Sequence, residues 1–217
     1  MRTLLFVALF ATTGSAFALS CGEAITSDTV LTADLHCPTG EAALFVARNG
    51  VTLDLAGHVI SGGSDTAGVA LENAHGVTVR GPGRFEGLRV GIEAVRSERL
   101  TVKDLEFVAV GDGVRLHNSA LSDIANNRFD GVQGHAVAVL SLPWSVTEGG
   151  RHSIHHNEVS HSEYGVLLVG DDSGGSDVSS NRFDAMGTFA IQVDRRAEFN
   201  RIEDNEFGFV GVTPITY

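Results

Sequence analysis

Three sets of side chains in this sequence have types and spacing suited to chemistry. His135, His161 and Tyr164 are the first: an imidazole and a phenol side by side supply a base and an acid for proton abstraction and leaving-group departure. They are read here as the candidate catalytic residues, against the plainer reading of ordinary turn residues. The second set is Arg115, His117, Trp144, Asp171, Asp172 and Gln192. Trp144 offers a flat apolar face with one polar edge, and the others offer hydrogen bonds to hydroxyls or carboxylates. The third set is the histidine-rich stretch His152, His155, His156 and His161. On a strand, four residues span about 13 Å and neighbouring side chains alternate faces. His152 and His156 are thus too far apart for one ion, and His155 is expected to face away from His156. No metal is assigned there, and the stretch reads as a polar surface. No cofactor is predicted. Calcium held by Asp171, Asp172 and Asp194 is the one ion that loop composition raises.

The elements that must position these residues announce themselves as a repeat. A large apolar residue returns in the same setting at Ile60, Phe85, Phe107, Phe129, Val159, Phe183 and Phe207. Two positions earlier stand Asn127, Asn157, Asn181 and Asn205, and five positions earlier Leu55, Val102, Ile124, Ile154, Val178 and Ile202. A second short strand follows, often opened by glycine, as at Gly91-Ile92, Gly113-Val114 and Gly165-Val166. A unit of about two dozen residues cannot bury its own apolar face, so units must stack and share a core. The pattern predicts an all-β, single-stranded right-handed parallel β-helix (a solenoid of about seven to eight coils). Equal positions then form columns. The phenylalanine column lies inside, each ring contributing about 1.5–3 kcal/mol of burial. The asparagine column marks a corner, where Asn tolerates left-handed backbone and bonds to the Asn above and below. Helical repeats are disfavoured, because no apolar stripe at helical spacing is present.

The ends divide the chain into three parts. Arg2, the apolar run Leu4 to Ala11 and Ala16-Phe17-Ala18 form a secretion signal over residues 1–18. Residues 19–48 fit the repeat poorly and read as an irregular capping coil, and residues 49–217 as the repeats. Cys21 and Cys37 are the only cysteines. In an exported chain an even count reads as one disulfide, which here closes a loop of about fifteen residues for roughly 3 kcal/mol. Lipidation of Cys21 is the alternative use. No segment is long and apolar enough to span a bilayer, and the net charge of −12 disfavours nucleic acid as a partner.

The stretch Cys21-Gly22 to Cys37, followed by Asn49-Gly50-Val51-Thr52-Leu53-Asp54-Leu55-Ala56-Gly57-His58-Val59-Ile60-Ser61-Gly62, resembles the opening of secreted right-handed β-helix proteins. The later Asn-x-Phe/Val turns resemble the generic parallel β-helix repeat. That superfamily includes polysaccharide lyases, galacturonases, uronate epimerases and a periplasmic accessory protein of nitrous oxide reductase maturation. The resemblance implies the fold, and it leaves the reaction open. Galacturonases carry Asn-Thr-Asp, Asp-Asp, Gly-His-Gly and Arg-Ile-Lys in that order. Here Gly134-His135-Ala136 precedes Gly170-Asp171-Asp172, and Arg201-Ile202-Glu203 ends in a carboxylate. None of the four prolines stands in the Asp-Pro-His setting of uronate epimerases.

The turn between Phe129 and Val159 is longer than the rest, with extra residues from Ser141 to Gly150 that include Trp144. The next turn lengthens at Gly170 to Gly175. Alternation turns Arg115 and His117 outward, and with them Ala138, Leu140, Leu167, Val169 and Gln192. An outward apolar patch either lies under the Trp144 loop or forms a sugar platform. The leading expectation is a periplasmic or secreted protein that binds or processes an extracellular polysaccharide. The alternative is a non-catalytic periplasmic scaffold or maturation accessory that docks a partner protein. Nothing after the last repeat caps it, so end-to-end association through the C-terminal coil, or a blunting strand at Pro214, is expected.

Overall fold

The computed structural model describes residues 19–141, 150–170 and 173–217. Residues 1–18, with the expected secretion signal, and Trp144, Asp171 and Asp172 lie outside the described residues. The described chain is all β and winds through three parallel sheets of nine, eight and eight strands. Each coil contributes one strand to each sheet, giving about eight turns. Consecutive strands of one sheet are therefore about two dozen residues apart in sequence, as at Val90–Val95, Asp112–His117 and His135–Leu140.

The inner columns form as the repeat requires. Ile60, Phe85, Phe107, Phe129, Val159, Phe183 and Phe207 are in direct register along the third sheet. Phe85, Phe107 and Phe129 stack at centroid distances of 5.2 and 4.7 Å. The column begins one coil earlier than the sequence suggested, at Leu35, which pairs with Ile60. Residues 23–37 thus form an ordinary three-strand coil rather than an irregular cap, closed by the Cys21–Cys37 disulfide. Leucine in place of phenylalanine concealed it.

Each ring needs room on the first sheet. A Cβ at Gly68, Gly91, Gly113 or Gly165 would sit 2.4–2.6 Å from a ring carbon of Phe85, Phe107, Phe129 or Phe183 respectively. The same column holds Ala43 and Ala136 in the coils whose landmarks are the smaller Ile60 and Val159, and Ala190 in the last described coil, whose landmark Phe207 is only partly buried. Large and small residues therefore alternate between facing sheets, so that close packing is kept.

The asparagine ladder bonds as expected, but its backbone is not left-handed. Asn157 Oδ1 accepts from the Asn127 backbone N–H (3.0 Å) and side-chain Nδ2 (3.1 Å). Asn181 does the same for Asn157, and Asn205 for Asn181. The left-handed residue is the one before each Asn: Asn126, His156, Ser180 and Asp204 have φ of 54–56°. One residue of that conformation turns the chain from the second sheet into the third. The carboxamide then fills the inside of the corner, where buried N–H groups need an acceptor.

The last described coil exposes large apolar side chains. Phe199 is 90% exposed and Tyr217 78%. Pro214 is exposed in Thr213–Thr216, the last described strand of the first sheet, an edge position that tolerates a missing N–H.

Two substitutions test the packing. Gly113→Ala drives a methyl into the Phe129 ring and is expected to cost about 1–3 kcal/mol. Asn157→Ala strands the buried N–H of Asn127 and is expected to cost about 1–3 kcal/mol. Denaturant midpoints equal to wild type for both would contradict the column packing.

Candidate functional site

The outward face of the first sheet gathers charges that the columns bring together. Glu93, Arg115, Ala138, Leu167 and Gln192 are consecutive members of one column. Arg115 donates from Nε to Asp112 Oδ2 (2.8 Å), makes a second contact with the same oxygen, and reaches Glu93 at 3.4 Å. Arg89 donates to the other oxygen of Glu93 at 2.8 Å. His117 lies 3.9 Å from Glu93. Asp112 also accepts from the His135 backbone N–H at 2.7 Å, and the His135 ring stands 3.6 Å away. The row continues into rings: His135 stacks on Tyr164 at 4.8 Å, and Tyr164 is followed by Phe189 at 6.3 Å.

The charges in this row are committed. Burial works against the ionised Asp112 carboxyl, but His135 and Arg115 outweigh it and hold the group down to about 2. Burial likewise opposes ionised Glu93, and Arg89, Arg115 and His117 overcome it and lower its pKa. Burial first, and Arg115 next, lower the pKa of His117, against the pull of Glu93. At neutral pH the row is two guanidinium–carboxylate pairs beside a neutral imidazole. A depression of about 360 Å³ opens against it, lined in part by Arg89, Asp112, Arg115, Gln133 and Gly134. A neighbouring depression of about 430 Å³ shares Gln133 and adds His161, Glu163 and Gly187.

The expected residues separate into three outcomes. Arg115, His135 and Tyr164 are brought into one row through Asp112, half-buried; His117 is half-buried on the same sheet beside Glu93, but five residues along the strand from the His135–Tyr164 column. Gln192 is on the same face but three strands from Arg115, about 14 Å at the usual strand spacing. His161 does not join His135 and Tyr164: its Nδ1 bonds Asp130 Oδ1 at 2.9 Å, lowering the carboxyl's pKa. The reason is that His161 is the left-handed corner residue (φ 49°), which turns its ring off the sheet. Asp194, the third acid of the calcium set, accepts from the backbone N–H of Arg196 in its own turn. Ala138 is buried, while Leu140, Leu167 and Val169 are half-buried, so the outward patch is not a bare apolar face. Sequence reasoning missed Arg89, Glu93 and Asp112. Glu93 was readable as the column member before Arg115; Arg89 and Asp112 reach the site from strand ends.

The histidine stretch departs from its expected geometry. His152 is not on the surface: it is 1% exposed, its Nδ1 accepts from the Ser122 N–H (3.3 Å), and its own N–H donates to Ser176. His155 and His156 do not face apart. The strand Ser153–His155 ends there, His156 takes the left-handed corner conformation, and alternation stops. Their Nδ1 atoms are 2.8 Å apart, and His155 Nε2 is 2.9 Å from Asp123 Oδ1. Among the described residues no three His, Cys, Asp or Glu side chains form a metal-holding group.

Comparisons with known proteins follow the geometry. The family model described as "Periplasmic copper-binding protein (NosD)" matches residues 21–210. No curated protein sequence matches the chain. Among solved structures, an alginate lyase from Paenibacillus sp. str. FPU-7 is similar at TM-score 0.59 and 16% identity, over 79% of this chain and 68% of that one. The tailspike protein of E. coli bacteriophage HK620 is similar at TM-score 0.52 and 9% identity, over 91% of this chain and 46% of that one. At these identities the likeness concerns the fold, that of the right-handed parallel β-helix superfamily.

The Asp112 cluster makes a pH prediction. Its folded pKa is depressed from 3.8 to about 2. The stabilisation is therefore fully present above 3.8 and is lost as pH falls through about 2. Asp112→Asn should flatten the acid limb of the urea-midpoint profile in that window. An unchanged acid limb would show that the pairing does not stabilise the fold.

Proposed function

The chain belongs to the NosD family of parallel β-helix proteins, and from that premise we propose that it is an exported, non-catalytic β-helix that binds a neutral extracellular polysaccharide on the outer face of its first sheet. The observation that carries this reading is the unbroken row from Arg89 through Glu93, Arg115, Asp112 and His135 into the Tyr164 ring. A carboxylate accepts from a sugar hydroxyl and the adjoining guanidinium donates to the next, so a vicinal diol finds both partners side by side. The rings supply an apolar face for sugar C–H groups. Neutral polymer is favoured over uronate because each arginine is already paired and the chain carries a net −12. Binding is favoured over hydrolysis because Asp112 and Glu93 are held ionised, whereas glycoside hydrolysis needs a carboxyl kept protonated, and a neutral polymer lacks the uronate that β-elimination requires. The Cys21–Cys37 bridge supports an oxidising compartment, periplasmic or extracellular.

A second reading, an accessory protein that docks a partner, is favoured by the apolar side chains exposed on the last described coil. Phe199, Phe209, Val212 and Tyr217 are exposed there, and the strands Arg201–Glu203, Glu206–Phe207 and Thr213–Thr216 have no further described neighbour. The first coil presents the same three-sided outline, so a second copy stacked end to end would continue all three sheets.

The family's description also raises copper. The sulfur donors of the described residues do not suit it: Cys21 and Cys37 are bonded to each other, and Met186 is buried. The imidazoles of His155 and His156 do, being nitrogen donors that stand together at the surface.

Calorimetric titration of the mature protein with neutral and uronate oligosaccharides tests the leading reading. Wild type should bind the neutral set, and Arg115→Ala and Tyr164→Ala should each weaken binding about tenfold or more. Binding that is unaffected by both substitutions, or confined to uronates, would overturn it. For the second reading, light scattering at micromolar concentration should show association that Phe209→Ser reduces; a wild-type monomer would contradict it.

A further inference from the structure

The corner between the first and second sheets carries side chains that neither the fold nor the polysaccharide reading uses. One position of that corner donates its backbone N–H to the next coil, at Gly50, Gly76, Arg99, Leu121, Arg151 and Gly175, and Phe199 follows in the same column. All seven residues are left-handed, with φ between 53° and 70°. Glycine adopts that conformation freely, whereas a Cβ crowds the following carbonyl. Arg99, Leu121, Arg151 and Phe199 therefore stand where the backbone favours glycine. Their side chains stabilise the fold little: Arg99 and Arg151 are exposed, Phe199 is 90% exposed and Leu121 is half-buried. Strained backbone that no internal contact offsets points to a role for the side chain it carries.

The charge pattern singles out the same corner. Among the described residues, every arginine without a carboxylate partner stands on it: Arg48, Arg99, Arg151 and Arg195. Of the described acids on the same stretches, Glu72 and Asp194 are held by Arg96 and Arg196, and Glu98 lies 3.4 Å from His75. Glu198 offsets one of the four arginines. Parallel pairing keeps the edge straight, and Arg48 and Arg195 are six strand spacings apart, about 29 Å. Such an edge is convex, whereas sites for small molecules are concave. What meets it along its length is an extended surface. Arginines alone suit any polyanion. Leu121 and Phe199 in the same line suit a surface where an anionic layer adjoins hydrocarbon.

We propose that this edge lies against an anionic phospholipid bilayer, with the guanidiniums at the phosphates and the Phe199 ring below them. The inference is independent of the polysaccharide reading, which concerns the outer face of the first sheet. The net charge of −12 permits the contact, because charges more than about 8 Å from the headgroups are screened at physiological salt. Each arginine at the surface strengthens binding about fivefold.

Co-sedimentation of the protein with vesicles tests this. Vesicles of equal parts phosphatidylglycerol and phosphatidylcholine should carry it down, and release it in about 1 M salt. Phosphatidylcholine alone is the reference for any contribution from the apolar run Leu4 to Ala11. Arg99→Asn and Arg151→Asn should each weaken the phosphatidylglycerol-dependent binding about fivefold, and Phe199→Asn about tenfold or more. Arg182→Asn, on the third sheet beside Glu206, should leave it unchanged. Asparagine tolerates left-handed backbone, so thermal midpoints of the three corner variants should equal or exceed wild type. A packing role for these side chains would lower the midpoints instead, and that result would overturn the proposal. Equal sedimentation of wild type and corner variants would overturn it too. So would soluble polyphosphate binding as tightly as the vesicles and indifferent to Phe199→Asn, which would make the partner a dissolved polyanion.

Discussion

The rest of the structure depends on the parallel backbone pairing between one coil and the next. Once Phe107 is in register with Phe129, every position in the coil is in register with its counterpart about 4.8 Å away. Side chains then have no independent address: each is a member of a column, and the column decides whether it is buried, laddered or exposed. The ring column, the glycines that face it and the carboxamide ladder are three consequences of that one constraint. They reinforce one another, because a slip of one residue would turn every apolar side chain out of the core.

The same constraint builds the surface. Glu93 and Arg115 are 22 residues apart and His135 and Tyr164 are 29 apart, yet the members of each pair are directly adjacent. Opposite charges and flat rings thereby line up along the solenoid without any one coil encoding a site. The face is rigid, since its groups pair with one another across coils and stand on a packed sheet. A rigid row of donors, acceptors and rings on a scaffold is suited to an extended ligand.

Much of this was legible in the sequence, and for a physical reason. A repeat of about two dozen residues writes the columns directly into the spacing of Phe, Asn and Gly, so the coil, the inner rings and the outward placement of Arg115 and His117 could be read. What could not be read were departures at corners. His156 and His161 sit in left-handed conformations that end the alternation from which side-chain direction was inferred. That is why His161 leaves the His135–Tyr164 pair and why His155 and His156 meet instead of parting. The first coil was hidden for a different reason: Leu35 fills the ring column with a residue common everywhere. Asp112 and Arg89 were missed because they reach the site from strand ends, where spacing says little about direction.

Register across the candidate face is the claim to test most directly. Cysteine pairs introduced into the protein and oxidised mildly report it, because a disulfide needs Cα atoms about 4.4–6.8 Å apart and side chains on one side. Glu93→Cys combined with Arg115→Cys should close a bridge, mapped by mass spectrometry alongside the native Cys21–Cys37 bond. Glu93→Cys combined with Leu116→Cys should stay reduced, since Leu116 is buried on the opposite side of the sheet. Bridging of the second pair and not the first would mean that the columns are offset by a residue and that the face described here does not exist.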